Sequence, residues 1–109
     1  MVALLKELRG MTRAKEEIFK VLESHKKTIK GFSVKRLSLF GSAVRGEATD
    51  GSDLDFVVEF DHKTFENYMD LKFFLEELFG CKVDLVIPGT IKPLLRPYIM
   101  SEIVNVPGF

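Results

Sequence analysis

Leu39-Phe40-Gly41-Ser42-Ala43-Val44-Arg45-Gly46, followed by Ser52-Asp53-Leu54-Asp55, decides the reading of this chain. Ten residues, Ala43 to Ser52, separate Gly41-Ser42 from the Asp53-x-Asp55 pair. An apolar segment, Val34 to Phe40, leads into the first part, and Phe56-Val57-Val58-Glu59-Phe60 follows the second. Both segments predict strands. A strand therefore ends in Gly-Ser, a short turn or helix crosses over, and a second strand opens with two aspartates.

Each residue type in this stretch brings its own chemistry. Gly41 has no side chain, so backbone N–H groups can approach a phosphate closely. Ser42 adds a hydroxyl and its own N–H at an expected helix N-terminus, a natural anion site. Asp53 and Asp55 are two apart on a strand and point to one face, with Cα atoms roughly 7 Å apart. Two carboxylates projecting together repel unless a cation sits between them. Hard oxygen ligands suit Mg²⁺, which takes one or two carboxylates plus substrate phosphates. Gly-Ser alone is an ordinary turn, and Asp-x-Asp alone is ordinary at a strand start. Joined at this spacing, a phosphate cradle and a metal-binding pair point to phosphoryl or nucleotidyl transfer.

A third acid belongs with them. Lys82-Val83-Asp84-Leu85-Val86-Ile87 predicts a strand, and Asp84 interrupts its apolar run. A carboxylate buried there is expensive unless it is paired or hydrogen-bonded. Asp84 is thus the natural partner of Asp53 and Asp55, the alternative being an edge strand that turns it to solvent.

Outside this stretch the chain reads as scaffold. Val2 to Arg9 predicts a short helix ended by Gly10, and Thr12 is a candidate N-cap for a second that Gly31 stops. Ile18, Val21, Leu22 and Ile29 share one face of it. Lys26, Lys27 and Lys30 gather at its end, where cations complement the helix dipole, and His25 reads as a surface or boundary residue. Arg45 can clamp a triphosphate oxygen or form a salt bridge to Glu47 or Asp53. Asp50-Gly51 marks a turn. His62 lies beyond the far end of the second strand. Thr64 caps a helix to Phe79 closed by Gly80; Tyr68, Leu71, Leu75 and Leu78 form its stripe, widened by Phe65, Phe74 and Phe79. Cys81 reads as a small buried hydrophobe. Ile91 to Met100 predicts a helix with Pro93 in its first turn and Pro97 bending or ending it. Arg96 reads as part of a solvated face, and 101–106 as a short last strand.

The 109 residues bound a single domain, large enough for a core but small for a two-substrate enzyme. Zero formal net charge leaves no global field to draw nucleic acid. One cysteine allows no internal disulfide and fits a reducing interior. No leader pattern opens the chain, and no apolar run approaches the roughly 20 residues of a membrane span. A cytoplasmic location is expected, with no membrane contact.

The Gly41-Ser42, ten-residue, Asp53-x-Asp55 pattern resembles the signature of the polymerase-beta-like nucleotidyltransferase superfamily. Arg45-Gly46 and Ser52 extend the likeness toward its minimal nucleotidyltransferase group, the antitoxin half of HEPN–MNT pairs. The resemblance implies an α+β nucleotidyltransferase fold, a small mixed β-sheet with helices packed on one face. It implies Asp84 as the third acid on the next strand. It also implies ATP as donor and two Mg²⁺ ions about 4 Å apart, held by Asp53, Asp55 and Asp84. Gly41, Ser42, Arg45 and Ser52 would contact the nucleotide. The implied activity is transfer of AMP to a hydroxyl, a tyrosine of a partner HEPN toxin. No second domain forms an acceptor pocket, so a partner or a homo-oligomer would supply one. Two other readings stand beside it: an antitoxin that masks its toxin by contact alone, and a nucleotidyltransferase of small molecules such as aminoglycosides. Whether Asp84 also accepts the proton is open at this point.

Overall fold

The computed structural model describes residues 15–46 and 53–109. The expected helix at 2–9, the Thr12 cap, Ser52 and the Asp50-Gly51 turn lie outside them. The described elements run α1 (Lys15–Ser24), α2 (Lys26–Lys30), β1 (Val34–Phe40), β2 (Leu54–Phe60), α3 (Phe65–Phe79), β3 (Val83–Val86), α4 (Arg96–Glu102) and β4 (Val104–Asn105). They form the mixed sheet and helices expected of an α+β chain. The sheet order is β3-β2-β1-β4, with β2 and β3 parallel and β1 antiparallel to both β2 and β4.

One face of the sheet carries the core. Leu37 and Leu39 of β1 pair with Val58 and Phe56 of β2, and Leu54 and Phe56 pair with Val83 and Leu85 of β3. These side chains share one face, and all join a single buried cluster with Ile18, Leu22 and Ile29 and with Leu71, Leu75, Leu78 and Phe79 of α3. The alternate residues, Ser38, Phe40, Asp55, Val57, Asp84 and Val86, take the other face.

The helix expected to run unbroken to Gly31 divides at His25. The His25 N–H bonds the Leu22 carbonyl at 3.1 Å, one residue short of helical register. The Val21 carbonyl accepts instead from Ser24 Oγ at 2.8 Å and from the His25 ring Nδ1 at 2.9 Å. Two side chains thus displace one backbone bond. Gly31 takes an ordinary right-handed conformation, and Ser33 carries the positive φ.

Helix α3 begins and ends where expected. Thr64 Oγ1 accepts from the Asn67 N–H at 3.0 Å, and Gly80 closes the helix at φ 66 with its N–H on the Glu76 carbonyl. Phe65 departs from the expected stripe. It sits at the first helical position and is 78% exposed.

The C-terminal helix is displaced from its expected place. It spans Arg96–Glu102 rather than Ile91 to Met100, with Pro97 in its first turn. A proline lacks the N–H that an interior position needs, so the helix starts around Pro97 instead of bending there. This segment joins β3 to β4, two strands that run the same way at opposite edges of the sheet. The β2-α3-β3 connection covers the core face. Both crossovers can be right-handed only if α4 passes over the opposite face. Val57 and Ile91 agree with that path: both are buried, yet neither belongs to the main cluster.

Candidate active site

The strand register brings the predicted acids together. Asp55 lies opposite Phe40, the last residue of β1, and opposite Asp84 on β3. Directly opposed residues share a face, and Asp53, two before Asp55, falls on the same side. All three carboxylates therefore stand away from the core, at the sheet end where β1 passes into Gly41. Asp84 is half-buried between Val83 and Leu85, which point inward. The apolar run that seemed to bury it on every side alternates across an edge strand.

Gly41 is fixed by its neighbour. It has φ +80, and a Cβ built there would lie 2.5 Å from Asp55 Oδ2. No other residue fits both the left-handed backbone and that contact. Gly41–Ala43 forms one turn of 3-10 helix, closed by the Val44 N–H on the Gly41 carbonyl at 3.1 Å. Ala43 is 1% exposed and Val44 packs against the core, so the two apolar residues after Gly-Ser pin the turn in place. Ser42 is held half-buried at its middle.

Asp55 is the perturbed acid. Its pKa rises from 3.8 to about 6, chiefly because burial disfavours its charge. The Asp84 charge, a side-chain hydrogen bond with Asp84 and the Asp53 charge raise it further, and among the described residues Arg45 opposes. Two carboxyls in hydrogen-bond contact compete for one proton. A divalent cation relieves that competition, and the donors are the hard oxygens Mg²⁺ prefers. Among the described residues no three His, Cys, Asp or Glu side chains gather into a ready-made metal cage. The arrangement fits an ion that completes its shell with phosphate oxygens and water, as Mg²⁺ does.

Arg45 takes a partner that sequence reading missed. Its Nη1 donates to Glu102 Oε2 at 3.2 Å, tying the turn after β1 to the end of α4. Of the two expected partners, Glu47 lies outside the described residues. Glu102 is 57 positions away, and no local pattern announces it. His62 lies past the far end of β2, as expected. A surface pocket of about 380 Å³, lined by Lys63, Thr64, Phe65, Tyr68, Leu85, Ile87 and Thr90, includes none of the acids. No helix of the described residues is long and apolar enough to cross a membrane.

Known proteins resemble this chain in sequence and fold. The model of the nucleotidyltransferase domain matches residues 15–106. The protein adenylyltransferase MntA of Thermococcus cleftensis is 38% identical over 93 residues, which span 84% of this chain and 94% of its own. A Methanocaldococcus jannaschii chain, provisionally named a protein adenylyltransferase, is 43% identical over 91 residues, 80% of this chain and 88% of its own. A solved structure, provisionally described as a minimal nucleotidyltransferase, superposes with TM-score 0.64 at 32% identity, covering 79% of this chain and 93% of that one. A toxin–antitoxin crystal structure with AMP-PNP has TM-score 0.60 at 21% identity, covering 86% and 73%, and shares the fold.

Proposed function

The chain belongs to the nucleotidyltransferase-domain family, and on that premise we propose that it transfers AMP from ATP to a hydroxyl of a partner protein, a tyrosine of a HEPN-type toxin, and so acts as an antitoxin. The observation that carries the reading is the Asp55–Asp84 pair set against Gly41 on the sheet face away from the core. Relatives named as protein adenylyltransferases, at 38% and 43% identity, support the acceptor class.

Each residue has a role in this reading. The 3-10 turn at Gly41 and Ser42 holds the β- and γ-phosphates, so that pyrophosphate leaves in line with the attack. Its anchoring by Ala43 and Val44 keeps those donors in place before the substrate arrives. Arg45 offsets phosphate charge. Ser52 completes the nucleotide contacts. Asp53, Asp55 and Asp84 would hold Mg²⁺, two ions in the full site. Bound there, Mg²⁺ supplies charge neutralisation and a lowered pKa for the attacking hydroxyl. Asp55 and Asp84 are the carboxylates at hand to take that hydroxyl's proton. The sheet face that bears the acids is where the acceptor would approach. One domain that works in the cytoplasm against a partner is consistent with this design.

The test is labelled ATP and Mg²⁺ with the neighbouring HEPN-type protein. Label on the partner is expected. An unlabelled but folded partner overturns the reading. Asp53→Ala with Asp55→Ala should abolish both labelling and toxin neutralisation. Neutralisation that survives the double substitution identifies masking by contact alone. Labelling of an aminoglycoside without any protein partner identifies the small-molecule reading.

A further inference from the structure

Resting on the nucleotidyl-transfer reading, we propose that the chain carries an acceptor of its own: the phenolic hydroxyl of Tyr98, which takes AMP from ATP and is thereby a site of self-adenylylation.

The chain has two tyrosines. The Tyr68 hydroxyl, part-buried, donates to the Leu85 carbonyl at 2.9 Å on the core side of β3. Tyr98 is 73% exposed. It lies in the first turn of α4, the helix that precedes β4 and carries no buried residue. Glu102 is four residues on, so the two share one side of the helix. Glu102 grips Arg45 at 3.2 Å, and the Arg45 charge is felt at Asp55. The phenol is thus one helical turn from a residue bonded to the edge of the site. The other hydroxyl on this helix, Ser101 Oγ, donates to the Tyr98 carbonyl at 2.9 Å. An alkyl hydroxyl also ionises far less readily than a phenol, whose pKa is about 10. From Ile91 to Ser101 the only charges are Lys92 and Arg96, both cationic. Arg96 and Lys92 offer cations to a polyphosphate near Tyr98, while the Glu102 carboxylate on the same side is paired with Arg45.

The step balances without any redox partner. Tyr98 Oη attacks the α-phosphorus of ATP and forms a phosphoester bond. The bond from the α-phosphorus to the bridging oxygen breaks, and pyrophosphate leaves with the bonding pair. The phenolic proton passes to a carboxylate of the Asp55–Asp84 pair. Self-modification places a bulky anion on the helix that Glu102 ties to the edge of the site, where it competes with the partner's approach.

The test uses the full chain alone with ATP and Mg²⁺, read by intact mass and by peptide mapping, and then with the HEPN-type protein added. One AMP on the Tyr98 peptide is expected, lost to background in Tyr98→Phe. Tyr98→Phe should keep its circular dichroism spectrum and still label the partner protein. Asp55→Asn should lose both modifications. A wild-type chain that labels the partner but carries no AMP at Tyr98 overturns this inference and leaves the proposed function standing. An adduct that persists in Tyr98→Phe overturns it equally. A chain that modifies neither itself nor the partner overturns both.

Discussion

Asp55 and Asp84 face each other across the parallel pair β2–β3, on the sheet face away from the core, and each carboxyl bears on the other's proton. Burial and that neighbour hold a proton on Asp55 up to about pH 6. The site is therefore under electrostatic tension that a cation would relieve, and its consequences are measurable.

The tension has a definite sign in stability. Unfolded, Asp55 gives up its proton near 3.8; folded, it keeps it to about 6. Between those values the native state binds more protons than the unfolded state, so stability falls as pH rises through the window and is level above it. Asp55 is only half-buried, and solvent screening reduces the effect to about 1 kcal/mol. Urea denaturation across that window, without divalent ions, should show this decline relative to Asp55→Asn. A difference between the two proteins that stays constant with pH would contradict it.

Removing the neighbour should separate stability from activity. In Asp84→Asn the like charge is gone, so the Asp55 pKa should move down from about 6 toward 3.8. A carboxyl carbon titration by NMR reads this directly. Melting temperature should hold or rise. Adenylyl transfer should fall by about 10²-fold or more, because electrostatic stabilisation at the reacting phosphate is lost. Activity within a few-fold of wild type would remove Asp84 from the site.

Gly41→Ala tests the close approach. The left-handed backbone costs an alanine about 1–2 kcal/mol. The added Cβ also meets Asp55 Oδ2 at 2.5 Å, so the carboxylate must swing aside. We expect a melting temperature lower by about 4–8 °C per kcal/mol lost. Transfer should fall by about 10²-fold, the usual scale for a misplaced catalytic group. A variant that folds and turns over normally would show that Asp55 can move freely without loss.

How far the sequence alone reached depends on range. Thr64 and Gly80 marked the ends of α3 because capping is local chemistry. The strands at Val34–Phe40 and Leu54–Phe60 were legible from apolar runs bounded by turn residues. Asp84 was recognised as exceptional in its strand, but its edge alternation became visible only with strand pairing. The break at His25 was hidden, since it depends on Ser24 and His25 competing for one carbonyl. Gly41 was read as a phosphate approach, whereas its closest constraint is the Asp55 carboxylate. Glu102 was invisible because chain crossing, not sequence proximity, brings it to Arg45.

That last contact yields a pair of variants with opposite expectations. The Arg45–Glu102 bridge is about half exposed at both ends, and such pairs contribute roughly 0–1 kcal/mol. Neither Arg45→Gln nor Glu102→Gln should move the melting temperature by more than a few degrees. Their effects on nucleotide binding should diverge. Arg45→Gln removes a charge that lowers the Asp55 pKa, so that value should climb above about 6. It also removes a charge-assisted contact to phosphate, commonly about 1.5–3 kcal/mol, which is roughly 10- to 100-fold in ATP affinity. Glu102→Gln leaves the guanidinium charged and releases it from its carboxylate partner, so ATP should bind as well as before or a few-fold tighter. Calorimetric titration with ATP and Mg²⁺ reads both. Equal losses in the two variants would mean that the bridge, rather than the Arg45 charge, is what the nucleotide site requires.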